Sequence, residues 1–290
     1  MGAEAAVMAA SILITGSGGQ LGRELTRLLP GAIALDHGRL DVSDRRSVHE
    51  AIASHRPDIV IHTAAMTAVD ACETDVDAAF EVNGLACRWL VEACERNGGR
   101  VVAVSTDYVF SGEPGAEPRP WTEWDPTRPR SVYGRSKLAG ELELRPTDSI
   151  VRTAWLAGPL GDNTVKTVLR LAASETAMSF VNDQIGSPTF APDLAEVIVW
   201  LVEHEIPGVV HAVNRGSASW FDYAQNIVKA AGYDPGLVSP IGTDELLPPR
   251  PAPRPAYSVL DDMVLRSVDH RMPHHLESLD RLIGSFAASL

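Results

Sequence analysis

Ser11-Ile12-Leu13-Ile14-Thr15-Gly16-Ser17-Gly18-Gly19-Gln20-Leu21-Gly22 decides how the rest of the chain is read. A short apolar run ends at a glycine cluster, which reads as a buried strand. The residues that follow, Arg23-Glu24-Leu25-Thr26-Arg27-Leu28-Leu29, are amphipathic and begin a helix. Strand, glycine loop and helix start occur in the order that a pyrophosphate site requires. Glycines let the backbone turn tightly and approach the phosphates, and helix N–H groups point at the anion. The spacing is Gly16-x-x-Gly19-x-x-Gly22, and a generic tight turn is the other meaning of such a cluster. The flanking strand and helix favour a dinucleotide.

Outward from this loop, a second strand at residues 32–35 ends at Asp36, 20 residues after Gly16. An acid there is placed to bond the adenosine ribose hydroxyls, which favours NAD(H). Arg39 is placed to hold a 2′-phosphate instead, so NADH and NADPH both stay open. Asp41-Val42 leads into a helix capped by Ser43. Asp41 either contacts adenine or simply starts that helix. A third strand, residues 58–62, runs into Thr63-Ala64-Ala65-Met66-Thr67, where small residues allow close approach to a cofactor. Asp70, Glu73, Asp75 and Asp77 read as the solvated first turn of a helix that contains Asn83 and runs on to Cys94.

The strand at residues 101–104 ends in Ser105-Thr106-Asp107-Tyr108. Ligands of doubly wound sheets lie beyond the carboxyl ends of the strands, so Thr106 and Asp107 stand at substrate height, unless the cluster only makes a turn. After a loop rich in Pro and Gly, Tyr133 and Lys137 fall one turn apart on one helix face. An ammonium beside a phenol favours the phenolate and lowers its pKa from about 10 towards working pH. A phenol tuned in this way exchanges a proton with a carbonyl oxygen. Taken alone, Tyr-x-x-x-Lys is far more often a solvated helix face. A strand at residues 149–155 completes one parallel sheet with right-handed crossovers. Beyond Gly158 the alternation loosens into helices near 164–174, 193–203 and 220–231, with strands at 178–182 and 209–213. The stiff proline run 247–255 suits a loop over a substrate cleft better than a detached ligand for an SH3 domain.

Composition excludes several classes. The chain has 290 residues, 45% apolar and 22% charged, which is ordinary for a globular protein with a sizeable core. A net charge of −13 argues against nucleic acid, since phosphate binding needs a basic face. No apolar run reaches the roughly 18–20 residues that span a bilayer. Residues 1–10 lack the positive start of a signal peptide and read as a loose extension, so a cytoplasmic location without membrane contact is expected. Cys72, Cys87 and Cys94 make no CxxC and read as free thiols. His274-His275 has no accompanying ligand set, and no metal is expected.

Taken together these stretches resemble one family. They are the glycine loop with Gln20-Leu21-Gly22, in the spacing of short-chain dehydrogenases; Ala64 through Asp70; Ser105 through Phe110; Tyr133 to Lys137 with Ala139-Gly140-Glu141; Arg152-Thr153-Ala154-Trp155; and Asp183 through Thr189. In this order they are similar to the dTDP-4-dehydrorhamnose reductases, which are extended short-chain dehydrogenases/reductases. The resemblance covers about residues 11–283. It implies an α/β fold, a Rossmann-type doubly wound parallel sheet with a smaller C-terminal substrate-binding domain. Residues 1–160 and 190–214 would bind NAD(P), and 161–189 and 215–290 the nucleotide sugar.

The resemblance further implies Tyr133 as the acid, Lys137 on the nicotinamide ribose and Thr106 on the substrate oxygen. Asp107 and Trp155 would line the sugar site, and Arg254 would lie in a loop closing over the nucleotide sugar. Gly19, Gln20, Leu21, Asp36, Asp41, Val42, Ala65, Met66 and Thr67 match cofactor contacts. The implied partner is a dTDP-4-keto-6-deoxy sugar, most directly dTDP-4-dehydrorhamnose, reduced by NADPH or NADH in a monomer or homodimer. His62, Met66, Ser111, Trp121 and Thr164 depart from the family's usual residues, and Met66, Ser111, Trp121 and Thr164 leave the sugar open. Glu24 matches an acid that holds Mg²⁺ between subunits in some members, but Pro192 falls where another would be. A 4,6-dehydratase would need Thr-Asp-Glu, and Tyr108 stands at the third position. A reductase of antibiotic deoxysugar synthesis and a non-catalytic NADP-binding regulatory subunit are the alternatives.

Overall fold

All four residues of strand β1 (Ile12–Thr15) are buried, as a strand covered on both faces of a parallel sheet must be. The computed structural model describes residues 10–113 and 118–287; the extension read at residues 1–10 lies, apart from Ala10, outside them. From β1 the chain passes through α1 (Gln20–Leu28), β2 (Ile33–Leu35), α2 (Arg45–His55) and β3 (Ile59–His62). Next come α3 (Val69–Thr74), α4 (Val76–Phe80), α5 (Ala86–Asn97), β4 (Arg100–Thr106), α6 (Val132–Leu142) and β5 (Ser149–Thr153). A second stretch adds β6 (Leu156–Ala157), α7 (Thr164–Ala173), β7 (Met178–Val181), β8 (Ile185–Gly186), β9 (Thr189–Phe190), α8 (Ala191–Glu203) and β10 (Gly208–His211). The last part holds β11 (Ala218–Ser219), α9 (Trp220–Ala230), β12 (Val238–Ile241), α10 (Met263–Ser267) and α11 (His275–Ala287).

The main sheet has the order β2-β1-β3-β4-β5-β10, parallel throughout. Alternation along the strands sends Ile12, Ile14, Ile59 and Ile61 to one face, against Leu21 and Leu25 of α1 and Leu194 and Ile198 of α8. Leu13, Val60 and Val101 go to the other face, against Ile52 of α2 and Leu90 and Cys94 of α5. Because β2 lies on one side of β1 and β3 on the other, a crevice opens above the ends of β1 and β3, where such folds hold ligands. A further core built on Val165, Val168, Phe190, Tyr223, Ile227 and Leu279 joins α7, α9 and α11 beside the sheet.

Several expectations need correction. The α2 cap is Asp44, whose carboxylate accepts from Arg46 N, while Ser43 is held by Asp41. The helix expected to run unbroken to Cys94 is interrupted at Asp75 and by a π-turn at Glu81–Leu85, since Asp75 caps a new helix. The strand read to residue 155 stops at Thr153, because Trp155 has φ +46° and cannot continue a ladder.

Candidate active site

The glycine loop has a geometry that only glycine allows. Gly16 has φ +66°, and a Cβ there would lie 2.6 Å from the Ala64 amide nitrogen; one on Gly22 would lie 2.3 Å from the Gly16 carbonyl oxygen. Gly19 caps α1 with no side-chain acceptor, so the first-turn N–H groups are left for an anion. A cradle that any side chain would fill, with uncapped helix donors at its rim, fits a dinucleotide pyrophosphate.

From this cradle a cavity of about 520 Å³ leads to the Tyr-x-x-x-Lys helix. Its walls include Gly19, Gln20, Leu21, Gly22, Ala65, Thr67, Thr106, Tyr133, Lys137 and Trp155. Ten of the predicted residues thus meet in one place. Sequence reasoning missed Asn163, which caps α7 and donates to Gln20 Oε1 at 3.0 Å, tying the glycine loop to the outer layer. Its one signal was an Asn just before a helix start.

Other predicted residues stand off this wall. Gly16 is not on the wall and packs against the Thr63–Ala64 backbone. Asp36 is exposed near Gly18, its Oδ1 accepting from Arg39 N at 3.1 Å, while the Arg39 guanidinium turns back to the Ala34 carbonyl at 3.0 Å. Asp41 folds into a turn with Ser43, whose N–H and O–H hold the carboxyl below the usual range. Val42 is buried in the core beneath β2. The Met66 side chain packs among Cys72, Ala79 and Val132, and Asn83 in the π-turn holds the Met66 backbone at 2.9 and 3.1 Å. The Asn83 amide also donates to Ser136 Oγ at 3.0 Å, and Ser136 donates to the Tyr133 carbonyl at 2.9 Å. Asn83 therefore ties the cavity floor to the first turn of α6, a link no local pattern signalled.

Ser131 caps α6 on Gly134 N at 3.1 Å and sets Tyr133 at the start of the helix. The expected depression of the phenol is not found: burial raises the Tyr133 pKa, and the nearby Thr106 hydroxyl opposes this. Lys137 is 5% exposed and donates to the Val104 carbonyl at 2.7 Å, so its charge is spent on the sheet edge and burial lowers its own pKa. A protonated phenol results, which suits an acid. His62, bonded to Thr15 Oγ1 at 2.7 Å, is pushed down to about 3 by burial and then by the Lys137 charge. Asp107 does not line the cavity. It is buried beneath Thr106, whose hydroxyl reaches Asp107 Oδ1 at 3.0 Å.

A second cavity, about 320 Å³, adjoins the first across two aromatic contacts. Tyr108 on its wall meets Tyr133 edge-on at 5.4 Å, and Trp220 on its wall stacks on Trp155 at 3.8 Å. Arg250 and Arg254 line it. Arg254 grips Asp70 with both nitrogens, one contact being 2.8 Å, and Asp70 Oδ1 also accepts from Ala252 N at 3.1 Å. Asp70, expected to be a solvated helix-start acid, instead fastens the proline run to α3, and this pairing holds its carboxyl low. A third cavity of about 500 Å³, among α1, α8 and α11, shares no lining residue with these two. Glu24 there is buried and paired with Arg27 at 3.0 Å.

A parallel sheet with a glycine cradle at its switch point, and Tyr-x-x-x-Lys on the wall of the adjoining cavity, defines an extended short-chain dehydrogenase/reductase, an NAD(P)H-dependent oxidoreductase. The RmlD substrate binding domain family matches residues 10–287. A Streptomyces antibioticus protein described as a probable dTDP-4,6-dihydroxy-2-methyloxan-3-one 4-ketoreductase is 46% identical over 259 residues, 86% of this chain and 85% of the relative. The crystal structure of a dTDP-4-dehydrorhamnose reductase from Clostridium acetobutylicum is similar at TM-score 0.90 and 39% identity, covering 96% of this chain and 99% of that one. The Bacillus anthracis dTDP-4-dehydrorhamnose reductase, solved in complex with NADP, follows at TM-score 0.89 and 37% identity, over 95% and 99%. The chain belongs to the dTDP-4-dehydrorhamnose reductase family.

Proposed function

We propose that the chain reduces the 4-keto group of a dTDP-4-keto-6-deoxyhexose, converting dTDP-4-dehydrorhamnose to dTDP-L-rhamnose. The observation that carries this reading is the meeting of Thr106, Tyr133 and Lys137 on the wall of the same cavity as the glycine cradle. When bound, reduced nicotinamide supplies the hydride for C4. The chain's residues supply position and protons. Gly19 to Gly22 and the α1 amides would hold the pyrophosphate, and Lys137 would hold the nicotinamide ribose. Thr106 and Tyr133 hold the keto oxygen as negative charge builds there, and Tyr133 then gives up its proton. An alkoxide is more basic than a phenolate, so the transfer runs downhill even from a phenol with a raised pKa.

The sugar would sit against Trp155 at the junction of the two cavities, with the diphosphate towards Arg250 and Arg254. Residues 1–160 and 190–214 would serve the coenzyme, and 161–189 and 215–290 the nucleotide sugar. Gly161 and Asp162 on the coenzyme cavity and Tyr108 on the sugar cavity join the two parts. Incubation with dTDP-4-keto-6-deoxy sugars and NADPH or NADH, with NMR of the product, tests the reading. Turnover to a 4-hydroxy sugar is the expected result; no coenzyme oxidation with any such sugar overturns it.

A further inference from the structure

Glu141 is a buried acid on the helix of Tyr133 to which the reduction proposed above gives no task, and its role rests on that reading. Tyr133, Lys137 and Glu141 follow one another at intervals of four, so all three leave α6 on one face. Tyr133 stands beside Thr106, and Lys137 reaches the Val104 carbonyl at 2.7 Å. Glu141 completes the series. Its Oε1 accepts from Ser105 Oγ at 2.5 Å and from Arg152 Nε at 2.9 Å, and its Oε2 accepts from Arg152 Nη2 at 2.7 Å.

Ser105 and Arg152 face each other in register across β4 and β5, one position before Thr106 and Thr153. A single carboxylate therefore fastens two neighbouring strands to the helix at the level of the site. Ser105, Glu141 and Arg152 are all buried, and the Phe110 ring centre lies 5.2 Å from the Arg152 guanidinium. The helix runs close to its other neighbours as well. A Cβ on Gly134 would lie 2.3 Å from the Tyr108 carbonyl oxygen, and one on Gly140 would lie 2.3 Å from the Asn83 carbonyl oxygen. Stability alone is a weak reason for a buried ion pair, because well-packed apolar side chains in its place often leave a fold as stable or more so. What the pair adds is direction: a guanidinium fork meeting a carboxylate through two parallel bonds admits one docking of the helix.

We propose that Glu141 is a positioning residue: held by Ser105 and Arg152, it seats α6 on the ends of β4 and β5 and so fixes the gap between the Tyr133 phenol and the Thr106 hydroxyl in which the keto oxygen is held. Glu141 is not on the cavity wall, and no proton passes through it. A helix seated loosely would spread that gap, and misplacing reacting groups by about 1 Å costs ~10²-fold in rate.

Replacing Glu141 alone would leave Arg152 charged and unpaired in the core, so the whole group is exchanged. Ser105→Ala, Glu141→Leu and Arg152→Met together remove both charges and fill the space with apolar side chains. The expected protein is folded, with Tm near that of the wild type and kcat lower by ~10²-fold, while KM for the dTDP-4-keto sugar and Kd for NADPH change little. A pair that served stability alone would leave kcat untouched, so wild-type kcat in the folded triple variant overturns the role, as does a loss confined to KM. Should the triple variant not fold, Ser105→Ala decides, since it cuts only the β4 tether and leaves the ion pair in place. Its kcat should fall by less than ~10²-fold at unchanged KM, and a kcat equal to that of the wild type sinks the idea. Amide hydrogen exchange without substrate separates this role from the reduction itself. Residues 132–142 should exchange faster in the variant than in the wild type while β1 stays protected, and unchanged exchange there refutes the seat. Absence of wild-type turnover with α6 loosened in the variant would count against the reduction and leave the seat standing.

Discussion

Arg254→Ala separates the two halves of the proposed cleft. Arg254 is 16% exposed and lines the smaller cavity, with its fork held by Asp70. Both Nη1 hydrogens are taken, by Asp70 and by the Ala252 carbonyl at 2.8 Å, and one Nη2 hydrogen goes to Asp70. Of the five guanidinium donors, Nε–H and the second Nη2 hydrogen are left for a phosphate. The Asp70 grip holds the guanidinium in place before the ligand arrives, so little side-chain entropy is lost on binding. Removing one hydrogen bond to a charged group costs about 1.5–3 kcal/mol, or roughly 10–150-fold in Kd for dTDP.

Asp70 is 30% exposed, so water rehydrates it once its partner is gone, and the fold should lose only about 1 kcal/mol or less. Isothermal titration of the mutant with dTDP and with NADPH, beside a thermal melt, measures all three quantities. The expected pattern is weak dTDP binding, unchanged coenzyme binding and a small shift in Tm. Arg254→Lys, which keeps the charge and loses the fork, should fall between the wild type and alanine. A loss confined to NADPH would place Arg254 on the coenzyme side and refute the layout.

Three further outcomes are expected. Tyr133→Phe keeps the ring and removes the proton, so turnover should drop ~10²–10⁴-fold while NADPH affinity, measured by fluorescence titration, holds; wild-type turnover would discard Tyr133 as the acid. Asp36→Ala removes the acid beside the glycine loop and frees the Arg39 amide it holds, so the ratio of kcat/KM for NADPH over NADH should rise; an unchanged ratio means that Asp36 does not read the ribose. His62 titrates at about 3 in the fold, against about 6.5 in an unfolded chain, so the unfolded state binds the extra proton between these values. Its stabilisation is complete above about 6.5 and is lost as pH falls towards 3, so His62→Gln should show a shallower fall in stability on acidification by chemical denaturation, and identical slopes would remove His62 from the acid response.

Much of the scaffold was legible because it rests on local periodicity. The apolar runs of β1, β3 and β4, the glycine cradle and the single-turn spacing of Tyr133 and Lys137 are properties of neighbouring residues. A parallel sheet buried on both faces leaves few other uses for such runs. The breaks were harder to see. The π-turn at Asn83 and the left-handed Trp155 follow from what packs against them, since Asn83 reaches Met66 and Ser136 and Trp155 stacks on Trp220.

The sequence by itself determined the fold class, the glycine loop and the Tyr-x-x-x-Lys face, because each depends on spacings within about one element. Tertiary structure alone decided their electrostatic state and their partners. Asp70 looked solvated until the chain returned at Arg254, 184 residues later, to neutralise it. The Tyr133 phenol looked depressed by Lys137 until burial raised it and the Val104 carbonyl took the ammonium. In each case desolvation and long-range pairing set the charge of the group, and both depend on which distant segments fold against it.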